Sequence, residues 1–192
     1  SLKASDNSKF VSLLESLDTS ADKLSPSQLE YFRYLQGWQA AYNGNYNEVI
    51  RTLNPIIAES KDVTLRFRAY ATITNVLAIS SQHEEAYSRL GQLIDLLPQV
   101  VDKAAREQGL IVAALLYNQV GQYDLGLQYA DLLIEGSQGG RSACIGKQLR
   151  LEALHKRAKL KEIGPEFQVA IDECENLHEF LYANLIMTYV AE

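Results

Sequence analysis

Three histidines (His83, His155 and His178) and two cysteines (Cys144 and Cys174) are the residues of this 192-residue chain whose types suit nucleophilic or metal chemistry. Cys174 and His178 stand one helical turn apart, with Glu175 and Glu179 beside them, a spacing a metal ion can use. Cys174, however, occupies a position filled by Leu53, Leu90 and Ala130 elsewhere in the chain. It therefore reads as core, because a buried free cysteine packs as a small hydrophobe. His83 falls at a recurring turn position held by aromatic rings and reads as a packing residue. No Gly-x-Ser-x-Gly elbow, Gly-rich phosphate loop or His-Glu-x-x-His pair occurs. The expectation is no catalytic residue, no metal and no cofactor.

Two other features bear on chemistry. The run Gly136-Ser137-Gln138-Gly139-Gly140-Arg141 precedes a helix and could offer backbone N–H groups to an anion. Without a preceding strand or a Lys-Ser/Thr ending, it reads instead as a loop between repeats. Cys144 and Cys174 lie early and late on two antiparallel helices of one pair, so they approach the same end of the hairpin, offset by several residues. A disulfide between them is possible if their Cα atoms come within about 7 Å.

The elements that position these residues follow from an internal repeat. Tyr42–Ile50, Ser80–Tyr87 and Val120–Leu127 each read as a Gly or Ser turn, an aromatic ring and, three positions on, a small or β-branched residue. A window from Ile163 to Ala170 fits more loosely. The rings Tyr46, His83, Tyr123 and Phe167 are spaced by 37, 40 and 44 residues, longer than the roughly 34 of a standard tetratricopeptide repeat. Small residues recur at Gly37, Thr74 and Ala114 on the first helices and at Val49, Ala86, Gly126 and Ala170 on the second. Leu53, Leu90, Ala130 and Cys174, then Ile56, Leu93, Leu133 and Leu177, continue one apolar stripe. Ser25-Pro26-Ser27-Gln28 predicts a capped helix start, Asp62 another, and Pro98 a stop.

The predicted fold is all-α: an α-solenoid of about four divergent helix pairs, with no sheet. Residues 1–24 form a leading helix and linker, and 25–192 the repeat domain. The pairs cover about 25–60, 62–98, 102–136 and 141–178, followed by a terminal helix at 178–191 that caps the stack or opens a fifth pair. A plain helix bundle is the alternative, against which the recurring turn pattern argues.

Composition narrows the partners. Hydrophobic residues make up 47% of the chain, enough for a sizeable core, and only 11 glycines and 4 prolines are available for turns. A net charge of −6 repels phosphate backbones, so no nucleic-acid partner is expected. The basic run Lys147–Lys161 is broken by Glu152 and reads as a solvated helix face. No apolar run approaches the roughly 20 residues of a membrane span. The chain opens Ser1-Leu2-Lys3 and closes with helical signal still running, and both ends are expected to be cut points in a longer protein.

Four stretches carry a family resemblance: Leu65-Arg66-Phe67-Arg68-Ala69 with Asn75, Ala105–Leu110, Leu116–Asp124 and Tyr182–Ile186. From about Leu24 onward the chain resembles the amino-terminal tetratricopeptide-like sensor region of bacterial GGDEF proteins, the membrane-bound diguanylate cyclases of gammaproteobacteria. Its most specific piece is Tyr117-Asn118-Gln119-Val120-Gly121-Gln122-Tyr123. The resemblance implies a periplasmic sensor, a following membrane helix and a cytoplasmic cyclase that makes cyclic di-GMP from GTP. No Gly-Gly-Asp/Glu-Glu-Phe signature lies in this chain, so no catalytic residue carries over.

A binding surface is the remaining expectation. Tyr34 and Trp38, with Tyr31 and Tyr42, mark one face of the first repeat helix; Arg68 and Asn75 mark the second, and Gln108, Asn118 and Gln119 the third. Rings and amides on a concave wall suit an unknown peptide, a protein or a small polar ligand. The rings can equally pack between repeats. Asn75, Asn118 and Gln119 must either bond a neighbouring repeat's backbone or face a groove, because a buried amide is costly unless paired. A homodimer is possible, and membrane contact is expected only through a flanking segment. The alternative function is a cytoplasmic scaffold that docks a partner's peptide, with its cysteines reduced.

Overall fold

Residues 4–157 and 164–191 are described by the computed structural model. The fold is all-α, with no strand among the described residues. The helices are α1 (Ala4–Asp18), α2 (Pro26–Tyr42), α3 (Tyr46–Glu59), α4 (Val63–Ile79) and α5 (His83–Leu96), then α6 (Lys103–Gln119), α7 (Tyr123–Ser137), α8 (Gly140–Lys156), α9 (Gly164–Asn176) and α10 (Phe180–Ala191). None among the described residues is long and apolar enough to cross a membrane.

Helix starts follow side-chain capping. Ser25 accepts from the Gln28 amide while Gln28 Oε1 accepts from Ser25 N at 2.9 Å, closing a capping box ahead of Pro26. Asp62 accepts from Leu65 N at 3.0 Å and Asp102 from Ala105 N at 2.7 Å.

Helix ends follow one turn geometry. Gly44, Ser81, Gly121 and His178 all have positive φ, at 74°, 61°, 78° and 58°. The next amide in each turn reaches back five residues: Asn45 to Ala40 O, Gln82 to Leu77 O, Gln122 to Tyr117 O and Glu179 to Cys174 O, all within 2.8–2.9 Å. This is a Schellman stop, which satisfies carbonyls the helix leaves unpaired. Tyr46, His83 and Tyr123 are each the first residue of the following helix. The fourth turn departs from the sequence register. The geometry recurs at His178-Glu179-Phe180, with buried Ala183 at the small position, while Phe167 is buried inside α9. Ile163, where the sequence window began, lies outside the described residues. His83, expected to pack, is exposed, whereas Tyr46 and Tyr123 at the same turn position are half-buried.

Two compact units divide the chain, Ser1–Gln92 and Leu93–Glu192, with the boundary inside α5. In the first unit α1 packs on α2, and α2, α3 and α4 contact one another. In the second, α6, α7 and α8 form one contacting set, and α8, α9 and α10 another. The stripe of the second helices is buried at Leu53, Leu90, Ala130, Cys174, Ile56, Leu93 and Leu133. Leu177 is exposed instead, because α9 ends at Asn176 and Leu177 falls in the turn.

Glycines inside helices sit against neighbouring helices at several crossings. A Cβ on Gly37 would lie 2.7 Å from Leu53 Cγ, and one on Gly146 would lie 2.8 Å from Ile134 Cγ1 and 3.2 Å from the Ala130 carbonyl. Gly91, in α5, faces open space. Gly37→Ala and Gly146→Ala are each expected to cost about 1–3 kcal/mol by overpacking, whereas Gly91→Ala should stabilise by about 0.5–1 kcal/mol through helix propensity. Urea unfolding of the three variants checks both signs.

Candidate functional site

The predicted binding residues fall in both units, Tyr34, Trp38, Arg68 and Asn75 in the first and Gln108, Asn118 and Gln119 in the second. In the first unit Tyr34 is buried, and Trp38 lies between rings, edge-on to Phe10 of α1 at 5.2 Å and stacked on Tyr42 at 6.0 Å. Phe10 of α1 thus packs on Trp38, while Tyr31 and Tyr42 of the same predicted face stay exposed. Arg68 and Asn75 are half-buried on α4. In the second unit Gln108 is half-buried and Gln119, the last residue of α6, is exposed. Asn118 is buried and donates from Nδ2 to Leu149 O of α8 at 2.9 Å. Its amide occupies the space a side chain on Gly126 would need. It thus bonds the backbone of a neighbouring pair, one of the two outcomes its burial demanded.

Cys144 of α8 and Cys174 of α9 are joined as a disulfide, with Cα atoms 5.6 Å apart. Both are buried, among Leu151, Phe167, Ile171 and Ile186. Among the described residues no three His, Cys, Asp or Glu side chains converge on a possible metal. His178 sits in the left-handed turn, with its ring 5.9 Å from that of Phe180, and His155 lies 5.4 Å from the Tyr189 ring. Gln138 and Gly139 ahead of α8, and Gly140 at its start, have positive φ, and Arg141 donates to Tyr182 Oη at 3.2 Å.

A groove of about 430 Å³ opens in the second unit, walled by α7 and α9 and floored by α8. Its apolar surface comes from Ile134, Leu151, Val169 and Ala170, and Val169 is 55% exposed. Arg150 spans it, from Nε to Asp131 Oδ1 on α7 at 3.0 Å and from Nη1 to Glu166 Oε2 on α9 at 2.8 Å. Lys147 pairs with Glu173 of α9, and burial pushes its ammonium below the usual lysine range. Glu135, one turn from Asp131, lines the same wall and is exposed.

None of the seven residues predicted for binding lines this groove. The sequence reading passed over it because Lys147 and Arg150 belong to the run read as a solvated face; residues 158–161 of that run lie outside the described residues. The available signal was Lys147 and Arg150 three apart on one helix, with acidic pairs on the helices either side, Asp131/Glu135 and Glu166/Glu173. Comparison with known proteins finds no matching family model and no matching curated protein.

Two outcomes test this arrangement. Closing a loop across a 30-residue separation contributes about 3–4 kcal/mol on chain-entropy grounds. Cys144→Ala/Cys174→Ala, or reduction, should therefore lower the melting temperature of the second unit, read by circular dichroism. Burial holds the Tyr189 phenol above its ordinary range, opposed by a hydrogen bond from Gln148 Nε2 at 2.8 Å and reinforced by the Glu152 charge. The native state thus keeps that proton longer than the unfolded chain does. Stability present below pH about 10 should fall as pH rises through the raised value, and Tyr189→Phe should flatten the decline in an alkaline titration.

Proposed function

We propose that the chain is a non-catalytic sensory module of the tetratricopeptide-like kind. It binds a peptide, protein or small polar ligand and regulates a GGDEF diguanylate cyclase carried elsewhere in the same membrane protein. The binding half of this reading rests on the α7–α8–α9 groove, an apolar floor between charged walls on a helical scaffold. The repeated Schellman turns, and helices that contact both the next helix and the next but one, support a stack of helix pairs. The Cys144–Cys174 disulfide supports an oxidising compartment, since cytosolic thiols are kept reduced. The cyclase half rests on the sequence resemblance.

Coupling requires that a ligand favour one arrangement of the module over another. Arg150 is placed to report such a change, because it ties α7 to α9 across the groove. In membranes carrying the natural full-length protein, Arg150→Ala is expected to change the conversion of GTP to cyclic di-GMP about five-fold or more. An unchanged rate contradicts sensing through the groove, and no GTP-dependent product contradicts the cyclase assignment. In intact cells, acid trapping and denaturing alkylation should leave both cysteines unlabelled unless reductant is added first. Labelling without reductant contradicts the periplasmic placement.

A further inference from the structure

We propose that the α7–α8–α9 groove takes a cationic amphipathic peptide, with its apolar side chains on the groove floor and its Lys or Arg groups on the carboxylates of the walls. The inference rests on the reading of the chain as a binding module and names the ligand class for that groove.

Three observations carry it. First, the floor is apolar and open: Leu151 and Ala170 are buried beneath it, while Val169 stands exposed at its edge. A site built only for a small ion would not leave this surface bare, because exposed apolar area gains free energy on being covered. Second, the walls are acidic. Asp131 and Glu135 on α7 and Glu166 on α9 line the groove, three carboxylates against the two cations Lys147 and Arg150, and Lys147 is already neutralised by Glu173 of α9. Both cations are already committed to wall carboxylates, and Glu135 has no ion-pair partner among the described residues. The unbalanced charge is negative, so an anionic peptide, a phosphate or an anionic lipid surface is repelled. Third, the lining carboxylates stand on both walls, Asp131 and Glu135 four residues apart on α7 and Glu166 across from them on α9. That extent suits a chain with several basic groups better than a single cation. An entering Lys or Arg would pair with Glu135 directly and compete with Arg150 for Asp131 and Glu166. Binding would thereby loosen the bond that links the walls, which supplies the differential contact that signalling needs.

The test uses the disulfide-linked chain and a fluorescein-labelled helical peptide of leucine and lysine, with its leucine–glutamate counterpart and spermine as comparisons. Anisotropy should show saturable binding of the Leu/Lys peptide. Glu135→Lys/Glu166→Lys should weaken it about ten-fold or more, as expected for two charge contacts. Glu84→Lys/Glu85→Lys removes the same charge from the first unit and should leave the affinity within about two-fold. Val169→Ser should weaken the peptide several-fold and leave spermine unaffected, because spermine brings charge without apolar side chains. Circular dichroism confirms that each variant is folded.

Equal weakening by the two double variants would reduce the effect to general attraction by an acidic protein and overturn the proposal. Preference for the Leu/Glu peptide would overturn the ligand class while keeping the groove as a site. No binding of either peptide would also overturn the ligand class, leaving the sensor reading to the cyclase measurement.

Discussion

Three helix crossings in this chain sit where one partner lacks a side chain, and much else follows from them. Gly37 admits Leu53, Gly126 admits the Asn118 amide, and Gly146 brings α8 against Ile134 and the Ala130 carbonyl of α7. The Gly126 crossing does more than save space. It leaves room for the buried Asn118 side chain of α6 beside α7, from where its Nδ2 donates to Leu149 O on α8. The Gly146 crossing fixes how near α8 comes to α7. Lys147 and Arg150, on the same helix, then reach the wall carboxylates, while Cys144 reaches Cys174 in the core. The position of the groove floor is thus set by a glycine that does not line it.

Those crossings explain which parts of the fold were legible beforehand. Small residues at fixed offsets from a turn have one economical physical meaning, a close helix crossing, and Gly37, Thr74, Ala114, Val49, Ala86 and Ala170 are all buried. Capping at Ser25 and Asp62 is local chemistry and could be read from four residues at a time. The last turn was harder. Left-handed backbone is signalled by glycine, and a histidine gives no such signal, so the window at Phe167 looked like the better match than His178-Glu179-Phe180. The cysteine geometry was legible only as far as antiparallel helices of a pair; the 5.6 Å separation depends on how α9 is set against α8.

The candidate site was the least legible part. Trp38 and Tyr34 looked like a ligand wall because rings on one helix face suit recognition, but they suit packing equally, and Phe10 on α1 supplies the partner. The groove depends instead on residues from three helices that mean little separately. Asp131 and Glu135 alone look like a solvated face, and so do Lys147 and Arg150. Only their juxtaposition over Ile134, Leu151 and Ala170 makes a site, and juxtaposition across helices is a tertiary property that a single sequence does not encode position by position.

Sensing through the α7–α8–α9 groove requires that a ligand engage it and act on the Arg150 link between its walls. Amide hydrogen exchange on the oxidised chain, with and without the Leu/Lys peptide, tests that requirement most directly, since it reports local opening along the backbone. Slower exchange in the stretches of α7 and α9 that carry Asp131, Glu135, Glu166 and Val169, with α2 and α4 unchanged, is the predicted result. Protection spread evenly along the chain, or confined to α2 and α4, would contradict it.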